Sequence, residues 1–230
     1  MLGMSFNQAV FELTGNDIST MRSYDYPKKQ APEHTSPPVT FVSESSKCRY
    51  AYRNPDGSFF GTKTVISYSN GSEESQWSVS DKSELNIPLY HADVLRDNPS
   101  EDNTVFITEN ERDADILAKW DSIPTTTIPE GREFSKWNPS YNKDLQGRDI
   151  IILATGSESG KDYANRIARN LLTVAKSVKV VPTSQIWNDC PKQYGIADIA
   201  RTIGDDVTSR HLTEVLTDGD IRRTIIKYSD

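Results

Sequence analysis

The spacing of apolar and polar residues changes character once along this chain, near residue 103. Upstream, from Val39 to about Val79, apolar residues alternate with polar ones: V39-T-F-V-S43, R49-Y-A-Y-R53, F59-F-G-T-K-T-V-I-S-Y68 and Q76-W-S-V-S80. Period two predicts strands with one buried face. N54-P-D-G-S58 separates two of them, with Pro presetting φ and Asp-Gly tolerating a reversal. S69-N-G-S-E-E74 marks the next turn. This is the pattern of a small antiparallel meander.

Downstream, short apolar runs alternate with amphipathic stretches. Strands are predicted at V105–T108, T125–I128, D149–L153 and V178–V181. Helices are predicted at E111–W120, where Ile116, Leu117 and Trp120 share a face, then over 138–145, 159–176, 196–203 and 208–216. The run from Pro129 to Trp137, PEGREFSKW, reads as a loop. Strands alternating with helices imply a parallel sheet covered on both faces. The expected fold class is therefore α/β: a parallel sheet flanked by helices, preceded by a small antiparallel β-rich subdomain.

The N-terminal 38 residues are mixed. F6-N-Q-A-V-F-E-L-T14 suits a short helix, and Y26-P-K-K-Q-A-P-E-H-T-S-P-P38 a polar, proline-rich linker, where Lys28 and Lys29, with Arg22 just before it, give a small basic bias. S80–L95 reads as a connector into a short helix, and D97-N-P-S-E-D-N103 as an acidic loop. The expected division is residues 1–38, 39–103, 104–218 and a tail at 219–230.

Composition removes several classes. The net charge of −7 argues against a uniformly basic nucleic-acid coat, so phosphate contact would need a local patch or a metal. No stretch approaches the ~20 apolar residues of a membrane span, and M1-L-G-M-S-F-N lacks a signal peptide's build; a cytoplasmic protein is expected. Cys48 and Cys190 are expected to be reduced there. With His34, His91 and His211 they show no zinc-ligand spacing, so no zinc is expected. A G-x-x-x-x-G-K-S/T phosphate loop and a G-x-S-x-G elbow are both missing.

Chemistry concentrates at two strand ends. In an open parallel sheet the ligand crevice lies beyond the strands' carboxyl ends. Glu109 after the first parallel strand and T155-G-S-E158 after the third should project into one place. Glu109 reads as a site carboxylate or as an acid favoured by a helix dipole. Glu111, Asp113 and Asp115 read as solvated first-turn acids. Gly156 and Gly160, with Ser157 between them, suit backbone approach to a phosphate at a helix N-terminus. Lys161, Arg166 and Arg169, spaced along the following helix, read as a solvated face, with Lys161 also a candidate for that anion site. Lys136-Trp137 could hold a phosphate and stack a base, or be an anchored aromatic beside an exposed charge. Arg148 lies close to the same sheet edge.

The order of these pieces resembles the Toprim domain of DNA primases, especially the phage and plasmid primase-helicase type. R49-Y-A-Y-R-N-P-D-G-S58, P88-L-Y-H-A-D-V-L95, V105-F-I-T-E-N-E-R-D-A-D115, K136-W137, G147-R-D-I-I-I-L153 and G195-I-A-D-I199 carry the resemblance over roughly residues 39–216. It implies that Glu109 acts as acid/base and metal ligand. It also implies an Asp-x-Asp pair after the third strand, which would clamp Mg²⁺ against phosphate. Here those positions are Thr155 and Ser157, and Gly195 stands where the family often has another acid, while Asp198 is retained. The first expectation is thus a degenerate centre with weak Mg²⁺ or Mn²⁺ affinity. Such a chain would bind single-stranded nucleic acid, a nucleotide or a replication partner and synthesise few or no primers. The alternatives are an active primase or nuclease whose metal is held by Glu109, Glu158 and Asp198, and a phage protein-interaction module directed at a host or defence protein.

Overall fold

The computed structural model describes residues 43–79, 87–97, 103–121 and 124–217, all within one unit. The expected helix at 6–14, the linker at 26–38, most of the strand at 39–43 and the tail at 219–230 lie outside these residues.

Three strands, β1 (Glu44–Arg53), β2 (Phe59–Tyr68) and β3 (Glu73–Trp77), form an antiparallel sheet in sequence order. The turns do what their residues suggest. Gly57 and Gly71 both take positive φ, and Asp56 and Asn70 side chains accept from Ser58 and Ser72 two residues on. β3 starts three residues earlier than the alternation of Q76–S80 implied, because Glu73 already pairs with Ser67 across the turn.

A short helix α1 (Ala92–Asp97) leads to the second sheet. Its strands are β4 (Thr104–Thr108), β5 (Thr125–Thr127), β6 (Asp149–Ala154) and β7 (Ser177–Pro182), all parallel in the order β5-β4-β6-β7. Between and after them come α2 (Glu111–Asp121), α3 (Asn142–Leu145), α4 (Glu158–Leu171), α5 (Thr183–Ile186), α6 (Ile196–Ile203) and α7 (Asp205–Thr217). The architecture is a mixed α/β fold, with helices on the parallel sheet and a separate antiparallel sheet before it.

Both faces of the parallel sheet are covered. Val105, Ile107, Ile150 and Ile152 pack under α4 residues Tyr163, Ile167 and Leu171, and against Leu95 of α1. Their strand neighbours Phe106 and Leu153, with Val181, face Leu117, Ile186, Ile196 and Leu212 of α2, α5, α6 and α7. Each such side chain contributes about 1.5–3 kcal/mol of burial, which is why near-continuous apolar runs are needed in these strands.

Helix α4 ends at Leu171, short of the expected Lys176. Val174 and Ala175 N–H groups both return to Leu171 O, and Lys176 N–H already donates to Arg148 O at the start of the β7 pairing. The chain must reverse there to place Ser177 beside Asp149. The four-residue helix α5 has no counterpart among the elements expected from sequence.

The antiparallel sheet is fastened to the α/β part by an aromatic and ionic contact. Tyr52 of β1 packs against Trp77 and Tyr90, with ring centroids 4.8 and 5.1 Å apart. Lys63 of β2 reaches Glu111 of α2 at 2.6 Å, and Tyr52 hydroxyl donates to the same carboxylate oxygen at 2.6 Å. Glu111 is therefore a buried inter-sheet anchor, correcting its reading as a solvated acid.

Candidate functional site at the strand tips

β4 and β6 are direct neighbours, with Ile107 opposite Ile152, so the residues following them meet. Glu109 turns its carboxylate into that meeting point, and its side chain is only 1% exposed. Oε1 accepts the Thr155 backbone N–H, and Oε2 lies 3.4 Å from Thr155 Oγ1. Thr155 Oγ1 is hydrogen-bonded to Ser157 Oγ at 2.8 Å, and Ser157 Oγ caps α4 by accepting Gly160 N–H at 3.0 Å. Acid and hydroxyl turn thus form one connected hydrogen-bonded group.

Gly160 makes this approach possible. A Cβ there would stand 2.6 Å from Thr155 O and 2.7 Å from Glu109 Oε1, and closer still to Thr155 Oγ1. Gly156 has no comparable constraint: its nearest neighbour, Lys192, is 3.7 Å away, an ordinary contact. The tight approach expected of both glycines belongs to Gly160 alone, and what approaches there is protein.

A third loop completes the site. β5 flanks β4 on its other side, so the loop after it also opens at the carboxyl edge. Gly131 takes φ +54°, and a Cβ there would be 2.7 Å from Glu109 O, so only glycine lets this loop lie against the Glu109 backbone. That brings Arg132 Nε to 3.0 Å from Glu109 Oε2. Arg166 of α4 holds the loop in turn, donating to Arg132 O at 2.8 Å and to Phe134 O, with its guanidinium 4.4 Å over the Phe134 ring. Arg166 is therefore a loop support, against its reading as part of a solvated face. Arg132 was missed by the sequence reading, although the carboxyl-edge rule applied to β5 would have found its loop.

Asp113 and Asp198 form an adjoining acidic group. Asn110 caps α2 by accepting Asp113 N–H at 2.9 Å, and Asp113 Oδ1 accepts Ala197 N–H at the start of α6 at 2.9 Å. Burial pushes the Asp113 carboxyl up to about 6; the Ala197 N–H and Arg112 oppose this, while Asp198 and Glu109 add to it. Asp113, like Glu111, is thus buried and not the solvated acid expected. Gly195 has a packing reason: a Cβ there would lie 2.8 Å from the Asp113 carboxyl carbon. Asp198 accepts Gly195 N–H at 3.2 Å and pairs with Arg112 at 3.1 Å and Arg201 at 2.9 Å.

Several predicted residues stand apart from this arrangement. The Glu158 side chain is 91% exposed and pairs with Lys161 at 2.8 Å; that bond, first among several influences, lowers its pKa. Among the described residues, no three carboxylate, histidine or cysteine side chains stand close enough to hold a metal ion, so Glu109, Glu158 and Asp198 do not converge. Trp137 donates its indole N–H to Asn142 at 2.9 Å and packs edge-on to Tyr141, the anchored alternative, leaving Lys136 exposed beside it. Arg148 donates to Leu95 O at the end of α1 and so serves the fold instead of the crevice. Arg132, Lys161 and Lys192 are exposed around the 155–160 turn.

The architecture has known counterparts. The fold is primase-like. It superposes on a DnaG primase catalytic domain bound to single-stranded DNA with TM-score 0.52 at 13% identity, covering 73% of this chain and 52% of that one. The RNA polymerase domain of Mycobacterium tuberculosis DnaG gives TM-score 0.52 at 10% identity, over 78% of this chain and 63% of that one. A DNA primase domain from Pseudomonas aeruginosa gives 0.51 at 13% identity, over 75% and 56%. The chain spans about half the length of the primase cores it matches. No family model matches the sequence, and no curated protein does so significantly. Among the described residues, no helix is long and apolar enough to cross a membrane.

Proposed function

We propose that this chain is a Toprim primase-like protein of the phage or plasmid type, with subdomains at 39–103 and 104–218 and a degenerate metal centre. In this reading it binds single-stranded nucleic acid or a nucleotide and makes few or no primers. The observation that carries it is the bonding of Glu109. A Mg²⁺ site needs free carboxylate oxygens in near-octahedral array. Here one Glu109 oxygen takes a backbone N–H, the other takes Arg132, and the opposing turn offers only Thr155 and Ser157 hydroxyls. Asp198 is already occupied by Arg112 and Arg201. This donor set does not fit a divalent cation, so no catalytic step is assigned to one.

Binding without a metal is supported by the basic rim of the crevice. Lys161 and Lys192 flank the turn at the N-terminus of α4 and would meet phosphates electrostatically. A gel shift with single-stranded DNA tests this. Two phosphate contacts should weaken affinity about 7-fold from ~50 to ~200 mM salt, and Lys161→Glu with Lys192→Glu should abolish the shift. Absence of any shift would transfer the reading to a protein partner. Mg²⁺-dependent primer synthesis by the unmodified chain would overturn it. The restoring pair Thr155→Asp and Ser157→Asp should bind Mg²⁺ by calorimetry where the unmodified chain does not.

A further inference from the structure

We propose that Arg132 supplies, within the chain, the positive charge at Glu109 that the primase resemblance assigns to a divalent ion. This rests on the reading of Thr155 and Ser157 as replacements for the acid pair. A carboxylate only 1% exposed cannot stay ionised in an apolar interior without a counter-charge and hydrogen bonds. Arg132 meets that need through Nε at 3.0 Å, and the Thr155 N–H supplies the hydrogen bond. The arginine is held by three independent features. Gly131 at φ +54° brings its loop against Glu109 O, Arg166 grips Arg132 O at 2.8 Å, and the Arg132 Nη1 donates to Ser159 Oγ at 3.4 Å. That last contact ties the guanidinium to the same turn that carries Thr155 and Ser157. A charge fixed by the backbone in this way cannot leave or be titrated by chelators. The centre is therefore permanently loaded, and its folding is independent of divalent metal.

Substituting the arginine should create a metal requirement that the protein does not otherwise have. The measurement is thermal unfolding of the full chain in EDTA and in millimolar Mn²⁺ or Mg²⁺, for the unmodified protein, Arg132→Gln, Glu109→Gln and the double variant. The unmodified protein should show the same Tm in both buffers. Arg132→Gln should lose on the order of 5 °C in EDTA, a value reduced for the partial exposure of the arginine, and regain part of it with Mn²⁺. The double variant should lose less than Arg132→Gln and regain nothing, because the charge needing compensation is gone. If Arg132→Gln fails to fold in EDTA, Arg132→Lys should fold there, keeping the charge but losing the fixed geometry. A metal-dependent rise in the unmodified protein that Glu109→Gln removes would overturn the proposal. So would an Arg132→Gln variant that is fully stable in EDTA, or one that metal does not rescue. Single-stranded DNA binding is read separately on the same samples. Its loss with the Tm pattern intact would strike the functional reading and leave this assignment standing.

Discussion

Substituting Gly160 by alanine tests the meeting of the two strand tips directly, because a single methyl enters the space they share. The new Cβ would lie 2.6 Å from Thr155 O and 2.7 Å from Glu109 Oε1, whereas real Cβ contacts essentially never fall under 3.0 Å. The nearer Thr155 Oγ1 could rotate away, but Thr155 O is backbone and cannot; α4 and the β6 tip must separate by roughly half an ångström, an overpacking that costs about 1–3 kcal/mol. Against this stands the helix preference of alanine over glycine, at most about 1 kcal/mol and smaller in a first turn. The cost wins. Gly160→Ala should lose about 1–2 kcal/mol in urea unfolding, or several degrees in Tm for a chain of this size. Gly156→Ala is the internal control, since its Cβ meets Lys192 at an ordinary 3.7 Å and should change stability by less than about 0.5 kcal/mol. If both variants are equally stable, or Gly156→Ala is the worse, the Glu109 and Thr155 tips are not in contact as described.

Two further predictions concern buried charge. Lys63→Met should cost about 3–5 kcal/mol by leaving Glu111 buried against Tyr52 alone, while Lys63→Met with Glu111→Leu should recover most of it; a Lys63→Met loss no larger than the double variant's would refute the ion pair as the fastening of the two sheets. The Asp113 carboxyl, raised by burial to about 6 from 3.8, holds its proton more tightly in the folded than in the unfolded chain. Its contribution is therefore fully present below about pH 4 and is lost as pH rises through 6, amounting to about 3 kcal/mol by neutral pH. Subtracting the pH–stability curve of Asp113→Asn from that of the unmodified protein should isolate this slope, and parallel curves would disprove it.

How legible the site was depended on what each residue answers to. Val105–Thr108 and Asp149–Leu153 announced themselves because strands buried on both faces need unbroken apolar runs, and the carboxyl-edge rule then put Glu109 opposite Thr155. The turns at Asp56-Gly57 and Asn70-Gly71 were equally readable, since their conformations are local. Glu111 and Asp113 were misread because a first-turn acid looks the same whether it faces water or Lys63 and Ala197. Trp137 and Lys136 admit two readings in sequence for a related reason: whether an indole meets Asn142 or a base is decided by a neighbour five residues on and by how the loop folds. Arg166 sat in a helical repeat that resembled a solvated face, and nothing local shows that Phe134 and Arg132 O lie over it.

Sequence alone determined the alternation of strand and helix, the antiparallel sheet before it, and which chain segments open at one edge, because those follow from burial period and turn chemistry within a few residues. Tertiary structure alone decided which charges are neutralised and by whom: that Glu109 meets Arg132, that Asp198 is spent on Arg112 and Arg201, and that Glu158 turns outward. Electrostatic partners are chosen by distances of a few ångströms across elements far apart in the chain, and no periodicity along it records them.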